Sequence, residues 1–297
     1  MTFLEKWLAR EDKINSILCA GLDPPIFEMG RQEKGLPQKT EKHTWCRRYL
    51  EAVHPFCSGV KFNTQYWKEP GDMAFLKEIY SLACEMGLVV IEDSKLADIG
   101  SSNDAGFYYS AARADAVTIA PFAGNLQEAG KQKQKRTIAA ISLCLMSNPE
   151  YKREKNKLIP IDNEESSIGT KSFHAEDIIT IENNHYIKQF IYLAKEAEHS
   201  GIDGVVIGAP SRGNHITLEE VQKAAGYTGP SMAVLCPGVG AQGGSAELLF
   251  RVFGKNRTIV NCGRSLMFPE GSSSTPEQQR DAAKHLNAML NRQRQGK

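Results

Sequence analysis

Short apolar runs alternate regularly with amphipathic segments along the chain, and this alternation leaves few possible folds. Eight runs are rich in β-branched residues, which is typical of buried strands, and most are separated by helical spacing of apolar side chains. Eight alternations in 297 residues, without a second compositional regime, favour a single-domain α/β fold, a (β/α)8 TIM barrel spanning residues 1–297. An open α/β sheet with a small appendage is the alternative. The predicted strands are Ile17–Leu22, Gly59–Phe62, Leu88–Glu92, Ala116–Ala120, Ile138–Leu145, Gly204–Ile207, Ala233–Cys236 and Ile259–Cys262.

Helices are predicted between most of these strands and after the last one. Thr275 is a suitable N-cap and Pro276 suits the first helical position, so we predict a C-terminal helix over about 276–290. Examples of the helices predicted between strands are Thr44–Phe56, Met73–Met86, Asn103–Arg113, Ile187–Glu198 and Ala246–Phe253.

A long insertion at about 148–184 interrupts the alternation. It is polar, carries the charge-dense stretch Glu150–Lys157, and is much longer than an ordinary connection between a strand and a helix. Two interpretations stay open: a lid over the barrel mouth, or a solvated insertion.

The composition limits the classes of partner. The chain has 36 Lys and Arg against 35 Asp and Glu, a balance of +1 that gives no overall field for binding nucleic acid or an anionic membrane. Any anionic ligand must therefore be held locally. The charged first residues do not resemble a signal peptide, and the longest apolar run, Ile138–Met146, is too short to span a bilayer. Seven scattered cysteines without a CxxC pair predict a reducing, cytoplasmic location and no structural zinc.

Charged or polar residues stand at the ends of several predicted strands. Asp23 follows the first strand, Lys61 lies in the second, and Asp93 and Lys95 follow the third. Ser147 follows the fifth. An ordinary surface ion pair at a strand end would explain Asp93 and Lys95 if they stood alone. In a (β/α)8 barrel, however, the carboxyl ends of the strands line one mouth, so the sequence predicts that these charges converge there.

The last two strands predict a phosphate site. The glycine-rich stretch Pro237–Gly244 follows the seventh strand, and its backbone N–H groups can approach an oxyanion closely. Arg264 follows the eighth strand, where a guanidinium can bind phosphate in bidentate fashion. The loops after strands seven and eight are the usual phosphate site of such barrels. A structural turn would explain the glycines alone, whereas Arg264 in register favours phosphate. Gln242 is the candidate side-chain donor, and the candidate phosphate-loop glycines are Gly238, Gly240, Gly243 and Gly263.

Together these motifs resemble the orotidine 5′-phosphate decarboxylase family. The family's D-x-K-x-x-D motif is similar to Asp93–Asp98, its second-strand lysine resembles Lys61, and its opening G-L-D resembles Gly21–Asp23. Its phosphate elements resemble the glycine-rich stretch and Gly263–Arg264–Ser265. Ser147 resembles the serine that contacts the pyrimidine. Ser102 stands where many members have threonine and keeps the hydroxyl.

The resemblance implies a carboxy-lyase (lyase, decarboxylase) that converts orotidine 5′-monophosphate to UMP and CO2, the final step of de novo pyrimidine nucleotide synthesis, without metal or organic cofactor. It implies an alternating network of Lys61, Asp93, Lys95 and Asp98. Loss of CO2 leaves a carbanion in the ring plane, so a cation must lie beside that carbon and supply a proton. Lys95 is the candidate for this role. Asp23 is expected to bind a ribose hydroxyl.

The resemblance also implies a homodimer with two shared sites. Asp98 and Ser102 are then expected to reach across the interface into the partner's site. Asp98 falls beyond the predicted strand, in a position that suits such a crossing.

Two other functions remain as alternatives. Related sugar-phosphate barrels, the keto-gulonate phosphate decarboxylases and hexulose phosphate synthases, use a D-x-K-x-x-D element with magnesium and an enediolate intermediate. Such a metal site would need acidic ligands at other strand ends, whereas the second strand here supplies Lys61. A phosphate-binding barrel without catalysis would lack a member of the charged network, and none is missing from the sequence.

Overall fold

Eight parallel strands close into a barrel in the computed structural model, which describes residues 1–162, 168–239 and 244–296. Around the barrel the strands pair in chain order, and the last pairs with the first. The closed barrel confirms the predicted (β/α)8 class and excludes the open sheet. The strands of the described residues are β1 (Leu18–Leu22), β2 (Gly59–Asn63), β3 (Val89–Leu96), β4 (Ala116–Ile119), β5 (Ala139–Leu145), β6 (Leu158–Pro160), β7 (Ile179–Ile181), β8 (Asn184–Lys188), β9 (Gly204–Ile207), β10 (Ala233–Pro237) and β11 (Thr258–Cys262), of which β6, β7 and β8 lie outside the barrel.

The predicted barrel strands match the observed ones closely, with one exception in β3. The sequence predicts an end at Glu92, whereas β3 continues to Leu96. Its pairing with β4 shifts register between these two residues, as in a β-bulge. The charged stretch therefore belongs to the strand itself, at a point where the strand is irregular.

Helix α1 (Phe3–Ile14), which the sequence analysis does not predict, closes the amino-terminal end of the barrel. It begins at a capping box between Thr2 and Glu5. Its Trp7 is buried against the strands, and a Cβ atom at Gly59 would lie 2.7 Å from the indole ring. The helices of the described residues are α1 (Phe3–Ile14), α2 (Lys42–Val53), α3 (Asp72–Glu85), α4 (Gly100–Ala111), α5 (Leu126–Arg136), α6 (Tyr151–Glu154), α7 (Gln189–His199), α8 (Leu218–Gly226), α9 (Ala246–Phe253), α10 (Arg264–Met267) and α11 (Pro276–Gln295).

Two apolar cores hold these elements together. The larger core lies between the strands and the surrounding helices and includes the fully buried Phe107 and Phe190. The smaller core fills the barrel interior, where Ile91 and Ile141 meet Trp7 of α1. Burying one such side chain contributes about 1.5–3 kcal/mol. Because the interior is filled from the α1 end, open space is left at the carboxyl ends of the strands.

The segment 148–184 supplies two strands of a small sheet, and the strand that follows the segment completes this sheet. Strands β6, β8 and β7 form an antiparallel sheet in that order. The Phe173 ring lies 5.6 Å from the ring of Tyr227, just beyond α8. The buried ammonium of Lys155 lies 2.6 Å from a carboxylate oxygen of Glu220 in α8. This part of the segment is therefore docked on the barrel's outer surface, whereas Asn148 lies at the barrel mouth.

The C-terminal helix α11 begins after Thr275, which forms a capping box with Gln278, and ends five residues beyond the predicted position. Near its end, Arg294 forms an ion pair with Glu11 of α1. This contact joins the two ends of the described chain. None of the helices in the described ranges is long and apolar enough to cross a membrane.

Candidate active site

Four charged side chains from three neighbouring strand ends meet at the open mouth of the barrel. The central carboxylate is Asp93, whose Oδ2 lies 2.6 Å from Lys61 Nζ and whose Oδ1 lies 2.7 Å from Lys95 Nζ. Lys61 Nζ also lies 3.7 Å from Oδ1 of Asp23. The parallel register explains this, since Gly21 is the pairing partner of Lys61. The structure thus brings together four residues predicted to converge.

Burial and mutual attraction act in opposite directions on these groups. Burial alone disfavours the charged form of Lys61, but the carboxylates of Asp23 and Asp93 outweigh it and raise its pKa above the ordinary value. Burial likewise disfavours ionised Asp93, yet the two lysines hold its pKa well below the usual range. Lys61, Asp93 and Lys95 thus form one charged chain, in which the single carboxylate of Asp93 bridges the two lysines. The pKa of Asp23 is raised, chiefly by burial.

The backbone at Lys95 is held in an unusual conformation. Its φ is +50°, in the left-handed region that non-glycine residues rarely adopt. The hydroxyl of Thr118 in β4 accepts a hydrogen bond from the Lys95 backbone N–H at 2.9 Å and donates one to Asp93 Oδ1 at 2.8 Å. Thr118 therefore fixes both the strained residue and its carboxylate partner. Local strain held by surrounding contacts is common at functional sites.

Sequence reasoning missed Thr118. The available signal was a single hydroxyl in the otherwise apolar and fully buried run of β4. Threonine is also an ordinary strand residue, so the sequence alone does not separate the two roles.

Glu92, the acidic residue that precedes Asp93 in β3, faces away from the mouth. Its carboxylate accepts hydrogen bonds from Ser94, Ser110 and Arg113, with the arginine Nε at 2.6 Å. Burial tends to raise the pKa of Glu92, but these donors lower it overall. Glu92 thus fastens β3 to α4 and the turn that follows this helix.

A cavity of about 270 Å3 opens directly on the charged chain. Its walls are mixed: one side carries the charges, and the other is apolar. Ser147 lies in this lining as predicted, together with Asn261 of β11, which the sequence analysis did not single out. The amide of Asn261 donates to the Cys19 carbonyl at 3.2 Å. The full lining is Asp23, Lys61, Asp93, Lys95, Thr118, Leu143, Met146, Ser147, Asn148, Val206, Leu235, Pro237 and Asn261.

A second cavity, of about 560 Å3, also has Asp23 in its lining. The predicted phosphate ligand Arg264, at the start of α10, faces this second space. The two cavities meet at Asp23, which lines both. The inner cavity has charged and apolar walls, and the outer cavity is basic. The lining of the outer cavity is Asp23, Pro25, Gly30, Arg31, Gln32, Lys34, Tyr66 and Arg264.

Two other predicted site residues lie away from both cavities. Asp98 is exposed beyond β3, and its Oδ1 accepts a hydrogen bond from the Ile99 N–H at 2.8 Å. Ser102 is exposed in the first turn of α4. Within the described part of one chain, neither residue contacts the charged chain.

The predicted phosphate loop is described only at its ends. Gly238 follows β10 with φ +93°, a conformation that favours glycine. Gly263 lies so close to β1 that a Cβ atom at Gly21 would come within 2.8 Å of its Cα. Gly240, Gln242 and Gly243 lie outside the described residues.

Known proteins resemble this chain over nearly its whole length. The protein named orotidine 5′-phosphate decarboxylase from Halobacterium salinarum is 29% identical over 303 residues, covering 99% of this chain and 100% of the relative. The one from Leptospira interrogans is 24% identical, covering 98% and 96%.

Solved structures share the fold. A putative orotidine-monophosphate-decarboxylase from Toxoplasma gondii matches with a TM-score of 0.76 and 19% identity, covering 99% of this chain and 97% of that one. The orotidine 5′-monophosphate decarboxylase from Methanocaldococcus jannaschii, complexed with the inhibitor BMP, gives 0.61 and 20%, covering 92% and 98%. A family model also matches residues 16–268, most of the chain. The chain belongs to the Orotidine 5′-phosphate decarboxylase / HUMPS family.

Proposed function

We propose that this protein decarboxylates orotidine 5′-monophosphate to UMP and CO2, as a cytoplasmic carboxy-lyase of pyrimidine nucleotide synthesis. The observation that carries the proposal is the Lys61–Asp93–Lys95 chain, which faces a cavity of about 270 Å3 that meets a basic cavity at Asp23. The inner cavity, Asp23 and the basic outer cavity follow one another in the same order as the flat base, the ribose and the phosphate of a nucleotide.

The cavity linings suggest how the substrate binds. The pyrimidine would lie in the inner cavity between the charged chain and apolar side chains such as Leu235, with Ser147 at its polar edge. The ribose would lie at Asp23, whose carboxylate can accept from a hydroxyl. The phosphate would extend into the outer cavity toward Arg264. Gln242 stays a phosphate donor predicted from the sequence.

In the reaction, the bond between C6 and the carboxylate carbon breaks and CO2 leaves. The electron pair stays on C6 as a carbanion in the plane of the ring. The Lys95 ammonium, held by Asp93, stabilises this charge and then transfers a proton to C6. Solvent returns a proton to the neutral amine, for which the 39% exposure of the Lys95 side chain leaves a path. The lysine supplies both charge and proton, so no metal or organic cofactor is needed.

The proposed assembly is a homodimer in which Asp98 and Ser102 complete the partner's site. Its support is the surface around Asp98, where large apolar side chains are exposed. Ile99, the next residue, is 62% exposed, and Phe122 is 52% exposed near Asn125, whose amide binds the Asp98 carbonyl. A subunit interface would bury these exposed apolar side chains.

A magnesium-dependent reaction on a sugar phosphate is the second candidate, because the matching family model also covers HUMPS proteins. An absorbance assay with orotidine monophosphate in EDTA distinguishes the two. Turnover in EDTA supports the proposed decarboxylation. Activity that is lost in EDTA and restored by magnesium, or no turnover of this substrate, contradicts it.

The role of Lys95 is tested by Lys95→Ala and by Lys95→Arg, which keeps the charge without an easily transferred proton. We expect both variants to lose turnover by about 100- to 10,000-fold or more, the usual contribution of a general acid. Binding of UMP, measured by calorimetry, should persist, because the phosphate and ribose contacts remain. A comparable rate in either variant would show that Lys95 is not the proton donor.

A further inference from the structure

The outer cavity contains two cations that neither the motifs nor the proposed reaction uses. Arg31 and Lys34 lie in the connection between β1 and α2, and both line the cavity that contains Arg264. Neither forms an ion pair within the described ranges of the chain. Asp23, the carboxylate in this lining, is already attracted by Lys61. The cavity therefore carries an excess of positive charge that no described group of the chain neutralises.

The chain around these cations is anchored, which holds them at the cavity. Residues Gln32–Lys34 form a 3-10 turn, and the next residues return to the barrel. The Leu36 N–H donates to the Pro25 carbonyl at 2.8 Å, and the Leu36 side chain is buried in the main core. Glu33, the acidic residue between the two cations, lies beside Gly271 instead of in the cavity lining. The turn thus presents its cations to the cavity and its carboxylate elsewhere.

We propose that Arg31 and Lys34 bind the 5′-phosphate of the nucleotide together with Arg264, as positioning residues that capture the substrate and orient it. The inference rests on the proposed function and adds a third element to the phosphate site predicted after the seventh and eighth strands. A phosphate dianion binds guanidinium groups through paired charged hydrogen bonds. Cations around a concave site also raise the association rate of an anion, and salt weakens this effect.

The test compares Arg31→Ala, Lys34→Ala and the double variant with wild type, at low and at high salt. We expect kcat/KM for orotidine monophosphate to fall about 10- to 100-fold in the double variant at low salt, with a smaller salt dependence than wild type. Arg31→Lys keeps a cation at this position, so its kcat/KM should fall much less than that of Arg31→Ala. The matched control is Lys77→Ala, an exposed cation on α3 outside both cavity linings, which should change neither quantity.

Two further measurements separate phosphate binding from other effects. With orotidine, which lacks the phosphate, the double variant and wild type should have equal kcat/KM. Inorganic phosphate should inhibit the double variant less strongly than wild type. Equal losses on both substrates, or kinetics unchanged from wild type, would overturn the assignment of Arg31 and Lys34. An inactive wild type would instead refute the proposed function, so the two failures are distinguishable.

Discussion

At the scale of single residues, the position of Lys95 depends on Thr118 as much as on its charged partner. The Lys95 backbone is in the left-handed region, and its N–H finds an acceptor in the Thr118 hydroxyl. The same hydroxyl donates to Asp93. Thr118 acts through these two residues and is a positioning group.

Thr118→Val should remove both hydrogen bonds while keeping the shape of the side chain. At about 0.5–1.5 kcal/mol for each bond, we expect kcat to fall roughly 10-fold, with a smaller change in KM. The matched control is Thr118→Ser, which keeps the hydroxyl and should retain most of the activity. Steady-state kinetics of the two variants provide the measurement. Equal losses in both would mean that the methyl packing, and not the hydroxyl, matters.

The charged residues of the site can be predicted from the sequence, whereas its uncharged polar residues cannot. Asp23, Lys61, Asp93 and Lys95 can be predicted to converge because charges interrupt apolar strands whose ends share one mouth. Thr118 and Asn261 cannot, because an uncharged polar residue in a strand has ordinary structural uses. Their roles depend on hydrogen bonds between strands that no local pattern encodes.

Among the secondary-structure elements, the β-branched runs predict the barrel strands well, but the hydrophobic pattern does not predict where a strand is irregular. The extension of β3 beyond Glu92 arises from a register shift against β4, which requires the paired strand to be known. The hydrophobic pattern does not predict helix α1, because charged residues dominate its sequence, although Phe3 and Trp7 form a buried pair one turn apart.

Helix α7 contains a buried carboxyl, and this gives the protein a specific pH dependence. Burial raises the pKa of Glu196 from an ordinary 4.5 to about 7. The folded state therefore binds this proton more tightly than the unfolded state. The resulting contribution to stability is present below about pH 4.5 and is lost as the pH rises through about 7.

Glu196→Gln removes this titration. The free energy of unfolding should exceed that of wild type at pH 8, by an amount on the order of 3 kcal/mol, and by much less at pH 5. Urea denaturation at the two pH values measures the difference. Glu51→Gln, an exposed carboxylate on α2, is the control and should shift stability little at either pH. A gain for Glu196→Gln that does not grow with pH would contradict the assignment.

At the scale of the whole molecule, a nearly neutral protein concentrates opposite charges at one end of a barrel. The net charge of +1 offers no long-range attraction, so the proposed nucleotide binding relies on the local arrangement of Lys61, Lys95 and the basic outer cavity. Within one chain, however, the D-x-K-x-x-D motif is divided. Asp93 and Lys95 enter the site, whereas Asp98 points to solvent beside exposed apolar side chains. In a dimer with shared sites, Asp98 of one copy would lie beside Asp93 and Lys95 of the other.

Mixing inactive variants tests this sharing directly. If Lys95 of one subunit works with Asp98 of the other, a heterodimer of Lys95→Ala and Asp98→Ala contains one intact site and one doubly altered site. Random exchange makes about half of the dimers mixed, so a mixture should recover about a quarter of wild-type activity. The control mixture pairs Lys95→Ala with Lys61→Ala. Lys61 and Lys95 bind the same Asp93 within one chain, so every mixed site lacks one lysine and no activity should return. Recovery in neither mixture, or full activity of Asp98→Ala alone, would place Asp98 outside the site.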